Sequence, residues 1–323
     1  MRKYVNEYVE QDTVQEIFRA GNKQLRPNRN GDLYLQVDLS DKTGTLTARL
    51  WNATERTYQS FENGDYVQVE GKAQLFQGAM QVIAKKIRKV PSDGLDPDEF
   101  TQVPGIAVDK LVLKMTAMLR KMENASLKNL AECYLMDEDF MKKLSTLPAG
   151  IKHHHAYQGG LLEHLVTMME IAEKVAGCYD YLDGDLLVFA AFLHDTGKVL
   201  ELQYDGDFTY TDPGQLLGHM VLGVMLLEKK LAEVEKLSEE TFPAELALRL
   251  KHLVLSHHGE YEFGSPKLPM TPEALALHCI DLMDSKLAAF QQLINEDLNT
   301  ASPWTTYVPS LQRKIFKGTP GKD

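Results

Sequence analysis

Hydrophobic periodicity changes once along this chain, and that change limits what the chain can fold into. Up to about residue 90 the pattern has period two. Asp32 to Leu39 (Asp-Leu-Tyr-Leu-Gln-Val-Asp-Leu) alternates, Asp41-Lys-Thr-Gly44 is a turn signal, and Thr45 to Trp51 alternates again, so the pair reads as a hairpin. Asp65 to Gly71 is a third strand, Gln74 to Ala84 holds two more short runs around Gln77-Gly78, and Val14 to Leu25 is the candidate first strand. Alternating side chains face opposite sides of a strand, and five short strands with turns between them predict a small barrel. Pro91 to Pro97 and Pro104-Gly105 then break any period. From Ile106 the spacing is helical, with Leu111, Met115, Met118, Leu119 and Met122 on one face, as core packing requires.

Further helices are expected over Leu161–Ala176, Leu186–Leu193, Gln215–Val234, Pro243–His257 and Pro272–Asn295. Tyr204 to Tyr210 reads as a hairpin, and Asp212 before Pro213 as a helix N-cap. The expected organisation is a barrel over residues 1–90, a linker over 91–105, an all-α domain over 106–296 and a tail over 297–323. The tail contains Trp304, Tyr307 and Phe316, so packing of part of it is expected.

Composition narrows the class. The chain has 323 residues, 44% apolar and 25% charged, as in soluble globular proteins of two domains. Three scattered cysteines without a Cys-x-x-Cys argue against a disulfide framework and for a reducing compartment. The polar N-terminus carries no signal-peptide core, and Leu186–Leu193 is too short to span a bilayer, so a cytoplasmic protein is expected. The net charge of −11 is unevenly placed: residues 1–90 carry 14 Lys+Arg against 11 Asp+Glu, the remainder 21 against 35. A basic barrel and an acidic helical part suit different tasks.

The acidic part holds an ordered set of metal-ligand side chains: His164, the pair His194-Asp195, His219, His257 and Asp281, each on or at the end of a different expected helix. Imidazoles and carboxylates together bind divalent transition metals. Two such ions roughly 3.5–4 Å apart clamp the attacking and leaving oxygens of a phosphoryl displacement. His258 stays open between ligand, supporting group and bystander, while His252 and His278 read as ordinary core or surface histidines. His153-His154-His155 precede the His164 helix and read as phosphate contacts beside it.

Phe192-Leu-His-Asp-Thr-Gly-Lys198 resembles the His-Asp-x-Gly-Lys signature of the HD superfamily of metal-dependent phosphohydrolases. That resemblance implies His164, His194, Asp195 and Asp281 around one metal, His219 and His257 on a second, and Asp195 as bridge. It also implies Lys198 against a substrate phosphate. Tyr34 to Trp51, with Val67-x-Val69-x-Gly71, resembles the nucleic-acid-binding OB-fold. Such barrels stack bases on aromatics and follow phosphates with cations; the candidates are Tyr34, Arg49, Trp51, Lys72, Phe76 and Lys85. The two domains together, with the stretch His154 to His164, resemble the YhaM family of 3′→5′ exoribonucleases.

The resemblance implies a multidomain protein, an N-terminal all-β OB-fold barrel followed by an all-α HD domain. It implies metal-dependent 3′→5′ hydrolysis of single-stranded RNA, with single-stranded DNA as a further substrate. Asp195, Lys198, His154 and His155 are the expected catalytic groups. Two divalent ions are expected, Mn2+ before Co2+ or Fe2+. No membrane partner is expected, and a homo-oligomer is left open. Two rival readings stand beside it: an HD-type nucleotide or cyclic-dinucleotide phosphohydrolase with a regulatory barrel, and a non-catalytic single-strand-binding protein. The ordered ligand set argues against the latter.

Overall fold

The computed structural model describes residues 2–28, 31–76, 79–100, 108–150, 157–204, 208–295, 297, 299 and 302–318. By Cα proximity the chain divides into two units, residues 1–103 with 205–207 and 290–323, and residues 104–204 with 208–289.

The first unit is built on five strands: β1 (Thr13–Pro27), β2 (Leu33–Asp41), β3 (Gly44–Trp51), β4 (Tyr66–Phe76) and β5 (Ala79–Lys89), with the short helix α1 (Glu55–Tyr58) between β3 and β4. They close into a barrel in the order β1-β2-β3-β5-β4. All pairs are antiparallel except β3–β5. Period two in the sequence becomes inside and outside: Leu35, Val37 and Leu39 of β2, Ala48 of β3, Val67 and Val69 of β4 and Val82 of β5 are buried, as are Val14 and Phe18 of β1. The expected hairpin is present, with Asp41 opposite Gly44. In the barrel the structure differs from the sequence pattern in that the run from Gln74 belongs to β4, which continues to Phe76, so β4 and β5 pair as one long hairpin, from Val67 with Lys89 to Phe76 with Ala79.

The second unit is helical. It comprises α2 (Val108–Lys121), α3 (Ala125–Leu135), α4 (Glu138–Thr146), α5 (Gly160–Ala176), α6 (Gly184–Leu193), α7 (Lys198–Glu201), α8 (Asp212–Ser238), α9 (Ala244–Ser256) and, up to Ala289, α10 (Pro272–Asn295). The hairpin β6 (Leu202–Tyr204) and β7 (Phe208–Tyr210) interrupts them. Helix α6 is apolar all round, so only a fully buried position suits it; Leu186 to Leu193 are all buried at the centre of the core. Met115, Leu119 and Met122 are buried in that core, with Leu111 and Met118 packed at its edge.

Helix α8 departs from expectation twice. Its N-cap is Thr211, whose side chain accepts from the Gly214 amide, rather than Asp212. It is also broken at Gly218, whose φ of 74° and ψ of 162° lie outside helical geometry. No helix among the described residues is long and apolar enough to cross a membrane.

Candidate active site

Five elements of the helical unit converge. His164 comes from α5, His194 and Asp195 from the end of α6, His219 from α8, His257 and His258 from the end of α9, and Asp281 from α10. Asp183 caps α6 by accepting from the Leu186 amide, and the helix runs without a break to its C-cap His194. Thr196, wholly buried, ties the exit with its hydroxyl on the Leu193 carbonyl at 2.8 Å.

Two glycines make room for this convergence. A Cβ on Gly197 would lie 1.9 Å from the His219 carbonyl oxygen and 2.6 Å from the Gly223 nitrogen, so the α6–α7 turn touches the α8 backbone as only glycine permits. At Gly218 the left-handed φ breaks α8 so that the next residue, His219, aims both its amide and its Nδ1 at Glu201 Oε1, at 3.0 and 3.3 Å.

The ligand-type side chains fall into two groups. His164, His194 and Asp281 form one and His219, His257 and His258 the other, with the donor atoms of each within 4.8 Å of one another. Asp195 stands between them. Its Oδ2 lies 3.7 Å from His164 Nε2 and 3.6 Å from His194 Nε2. Its Oδ1 lies 3.5 Å from His219 Nε2 and 3.7 Å from His257 Nε2. His258, left open by the sequence, therefore joins the second group.

In all five imidazoles Nδ1 meets an oxygen. His194 reaches the Ala191 carbonyl at 2.9 Å, His257 that of Val254 at 2.8 Å and His258 that of Phe263 at 2.9 Å. His164 meets the Asp284 carboxylate at 2.8 Å, and His219 meets Glu201 as above. Carbonyl oxygens only accept, so Nδ1 carries the proton and each neutral ring keeps its lone pair on Nε2. The result is a convergence of lone pairs. His164 Nε2 and His194 Nε2 are 3.3 Å apart, and the buried His219 Nε2 and Asp195 Oδ1 lack a hydrogen-bond partner. Buried acceptors that face one another in this way need cations between them, so the donor set fits divalent metals. Oxygen partners on the far nitrogen are the usual support of a metal-binding imidazole. Asp284 and Glu201 supply it here, and nothing in the sequence pattern marked them.

Burial pushes His194 and His258 below the usual histidine range and His257 well below it, which keeps these rings in their metal-binding form. Burial alone would raise Asp195, but the Lys198 ammonium beside it holds its carboxyl well below the usual range. For Lys198, burial works against the charge, and Asp195 outweighs it, so the ammonium persists above its ordinary range. Lys198 Nζ donates to Asp195 Oδ2 at 2.6 Å and to the Ala149 carbonyl at 2.6 Å.

The groups open on a cavity of about 290 Å³, whose wall includes His164, Asp195, Lys198, His257, His258 and Asp281, together with Phe263 and Ser285. His278 also lines it and holds the His257 carbonyl at 3.0 Å, so it supports the site. His252, by contrast, accepts from the Met270 amide at 2.9 Å and is not part of that wall. His154 and His155 lie outside the described residues.

On the barrel, the register places Tyr34 opposite Trp51, Gln36 opposite Arg49 and Arg49 beside Ile83. The Tyr34 and Trp51 rings are 5.0 Å apart, and the Arg49 guanidinium lies 5.4 Å from the Phe76 ring centre. Trp51, Lys72, Phe76 and Lys85 are exposed and Tyr34 and Arg49 half-buried; all but Lys85, which a bulge leaves without a register partner, alternate with the buried core. The outer face of β2, β3, β4 and β5 therefore combines rings with cations.

A five-stranded barrel with one parallel pair and a helical His/Asp centre divided by a carboxylate define a class: an OB-fold joined to an HD domain. The family model for the HD domain matches residues 161–289, and that for the OB-fold nucleic acid binding domain matches residues 18–90. The 3'-5' exoribonuclease YhaM of Listeria innocua is 34% identical over 296 residues, 91% of this chain and 92% of the relative. The protein of the same name from Bacillus subtilis is 32% identical over 290 residues, 89% of this chain and 88% of the relative. The chain belongs to the 3'-5' exoribonuclease YhaM family. Membership makes it a hydrolase, and its HD domain implies dependence on divalent metal.

Proposed function

We propose that the chain degrades single-stranded RNA from its 3′ end by hydrolysing phosphodiester bonds, with single-stranded DNA as a further substrate. The single observation that carries this reading is Asp195, whose two carboxylate oxygens face separate groups of metal-type ligands. When bound, two divalent ions supply Lewis acidity that eases deprotonation of water and neutralises phosphate oxygens. His164, His194, Asp281 and Asp195 would hold one ion, and His219, His257, His258 and Asp195 the other. Manganese is the first candidate, and cobalt and iron suit the same donors. Asp284 and Glu201 hold the rings of His164 and His219 in the binding orientation. Lys198, on the cavity wall, offers its ammonium to a phosphate oxygen, and His154 and His155 are assigned the same task on sequence grounds. Residues 1–90 hold the strand through Tyr34, Arg49, Trp51, Lys72, Phe76 and Lys85; residues 91–105 link them to the cutting domain, 106–296. A cytoplasmic location belongs to the same reading.

The test is a time course on 5′-labelled single-stranded RNA with manganese, with and without EDTA. A ladder that shortens from the 3′ end and disappears with EDTA is expected. An intact strand under every divalent metal, with turnover of mononucleotides or small phosphodiesters instead, would replace this reading with that of a nucleotide phosphohydrolase.

A further inference from the structure

The C-terminal segment plays no part in the chemistry above. Residues 302–318 form a narrow antiparallel ribbon in which Trp304 faces Phe316 and Val308 faces Arg313. The Thr305 amide donates to the Ile315 carbonyl at 2.8 Å, that of Val308 to Arg313 at 2.9 Å, and that of Lys317 to Pro303 at 2.7 Å. Burial sorts the side chains. Thr305, Val308 and Ile315 are 2%, 9% and 5% exposed, while Trp304, Tyr307 and Phe316 are 46%, 56% and 55% exposed. Part of the tail packs, as expected, but through its small and aliphatic residues, while the rings face water. Trp304 and Phe316 stand as a preformed pair with ring centres 5.0 Å apart.

The charge around these rings points to the ligand. From Asn299 to Gly321 there is no acidic residue, and Arg313, Lys314 and Lys317 fall there, in a chain of net charge −11. Lys317 is paired with Asp297. Arg313 and Lys314 are exposed and, among the described residues, neither meets a carboxylate. The centre of a protein–protein interface is rich in aromatic residues and arginine but depleted in lysine, so exposed Lys314 beside the rings speaks for another ligand. Exposed rings among cations that no carboxylate neutralises instead match what a flexible polyanion with flat bases requires: ring faces for stacking and positive charge for phosphates.

We propose that this ribbon is a second single-strand contact, with bases of the RNA stacking on Trp304, Phe316 and Tyr307 while Arg313 and Lys314 meet phosphates. This rests on the RNA-degrading reading above. Two rings side by side take bases in succession without selecting among them, as an exonuclease that must accept every sequence requires.

The experiment uses the full chain in EDTA, so that a fluorescein-labelled oligo(A) binds without being cut, and reads fluorescence anisotropy against salt. Trp304→Ala and Phe316→Ala should each weaken binding by about 5- to 150-fold, the range for removal of one stacking partner. Trp304→Phe should restore most of it. Arg313→Gln with Lys314→Gln should lower the salt slope by about 0.7 for each phosphate that is no longer neutralised. With manganese restored, all these variants should cut a dinucleotide at the wild-type rate, because none of the substituted residues belongs to the two ligand groups or the cavity beside them. Unchanged oligo(A) affinity in both alanine variants overturns the proposal; if sedimentation then shows a smaller assembly, the rings belong to a protein interface. A wild-type chain that neither binds nor degrades RNA would instead refute the functional reading itself.

Discussion

Replacing Gly197 by alanine adds one methyl group where two backbones touch. The new Cβ would lie 1.9 Å from the His219 carbonyl oxygen, 2.6 Å from the Gly223 nitrogen and 2.9 Å from the Gly223 Cα. None of these is the end of a flexible side chain, and ordinary contact begins at 3.4 Å, so α8 must retreat by about 1.5 Å. Overpacking of this kind costs about 1–3 kcal/mol of stability. The functional cost is larger, because the backbone that moves carries His219, whose Nε2 faces Asp195 Oδ1 at 3.5 Å. A misplacement of about 1 Å costs on the order of 100-fold in rate. His164, His194 and Asp281 lie on α5, α6 and α10 and are not pushed directly. Metal analysis of Gly197→Ala should therefore show a loss of close to one ion per chain, with RNA degradation slowed about 100-fold and a urea midpoint only modestly lower. Full metal content together with the wild-type rate would refute the reasoning.

The other predictions follow from the supports of the site and from burial. Asp284→Ala and Glu201→Ala each remove the oxygen that orients an imidazole, and should weaken metal binding by about 10- to 100-fold by calorimetric titration. Lys230 is 1% exposed and donates to the Cys133 carbonyl, Asp137 and Glu233, so Lys230→Met should lower unfolding free energy in urea by about 1–3 kcal/mol without changing metal content. Burial holds His194, His257 and His258 below the ordinary 6.5, so as pH falls the unfolded chain takes up protons before the folded one does. Stability of the EDTA-treated protein should be undiminished by these groups above about 6.5 and fall as pH drops below it, read as the melting midpoint against pH.

The candidate ligands were legible because chemistry restricts them: few residue types bind metal, and they stand at helix ends or on separate apolar helices. His164, His194, Asp195, His219, His257 and Asp281 do meet in one cleft. Their supports were not legible. Asp284 and Glu201 are ordinary acids on helices, distinguished only by what lies opposite them in three dimensions. The break at Gly218 was hidden in the same way, since a single glycine within an apolar helical pattern does not reveal whether its φ is positive. Period two identified the barrel, but not the end of β4, because Gln74 to Phe76 continues the pairing with β5 past the glycine that read as a strand end. At the C-terminus the aromatic content signalled that part of the tail packs, but not that Thr305, Val308 and Ile315 would be the residues buried.

The most direct test of the account is the metal content of the purified protein measured beside its RNA-degrading activity, for the wild-type chain and for Asp195→Ala. Two divalent ions per wild-type chain are expected, with ion content and 3′→5′ shortening of single-stranded RNA both lost in the variant. An Asp195→Ala protein that keeps both ions and still shortens RNA at the wild-type rate would contradict the claim that this carboxylate joins two metal sites into one active centre.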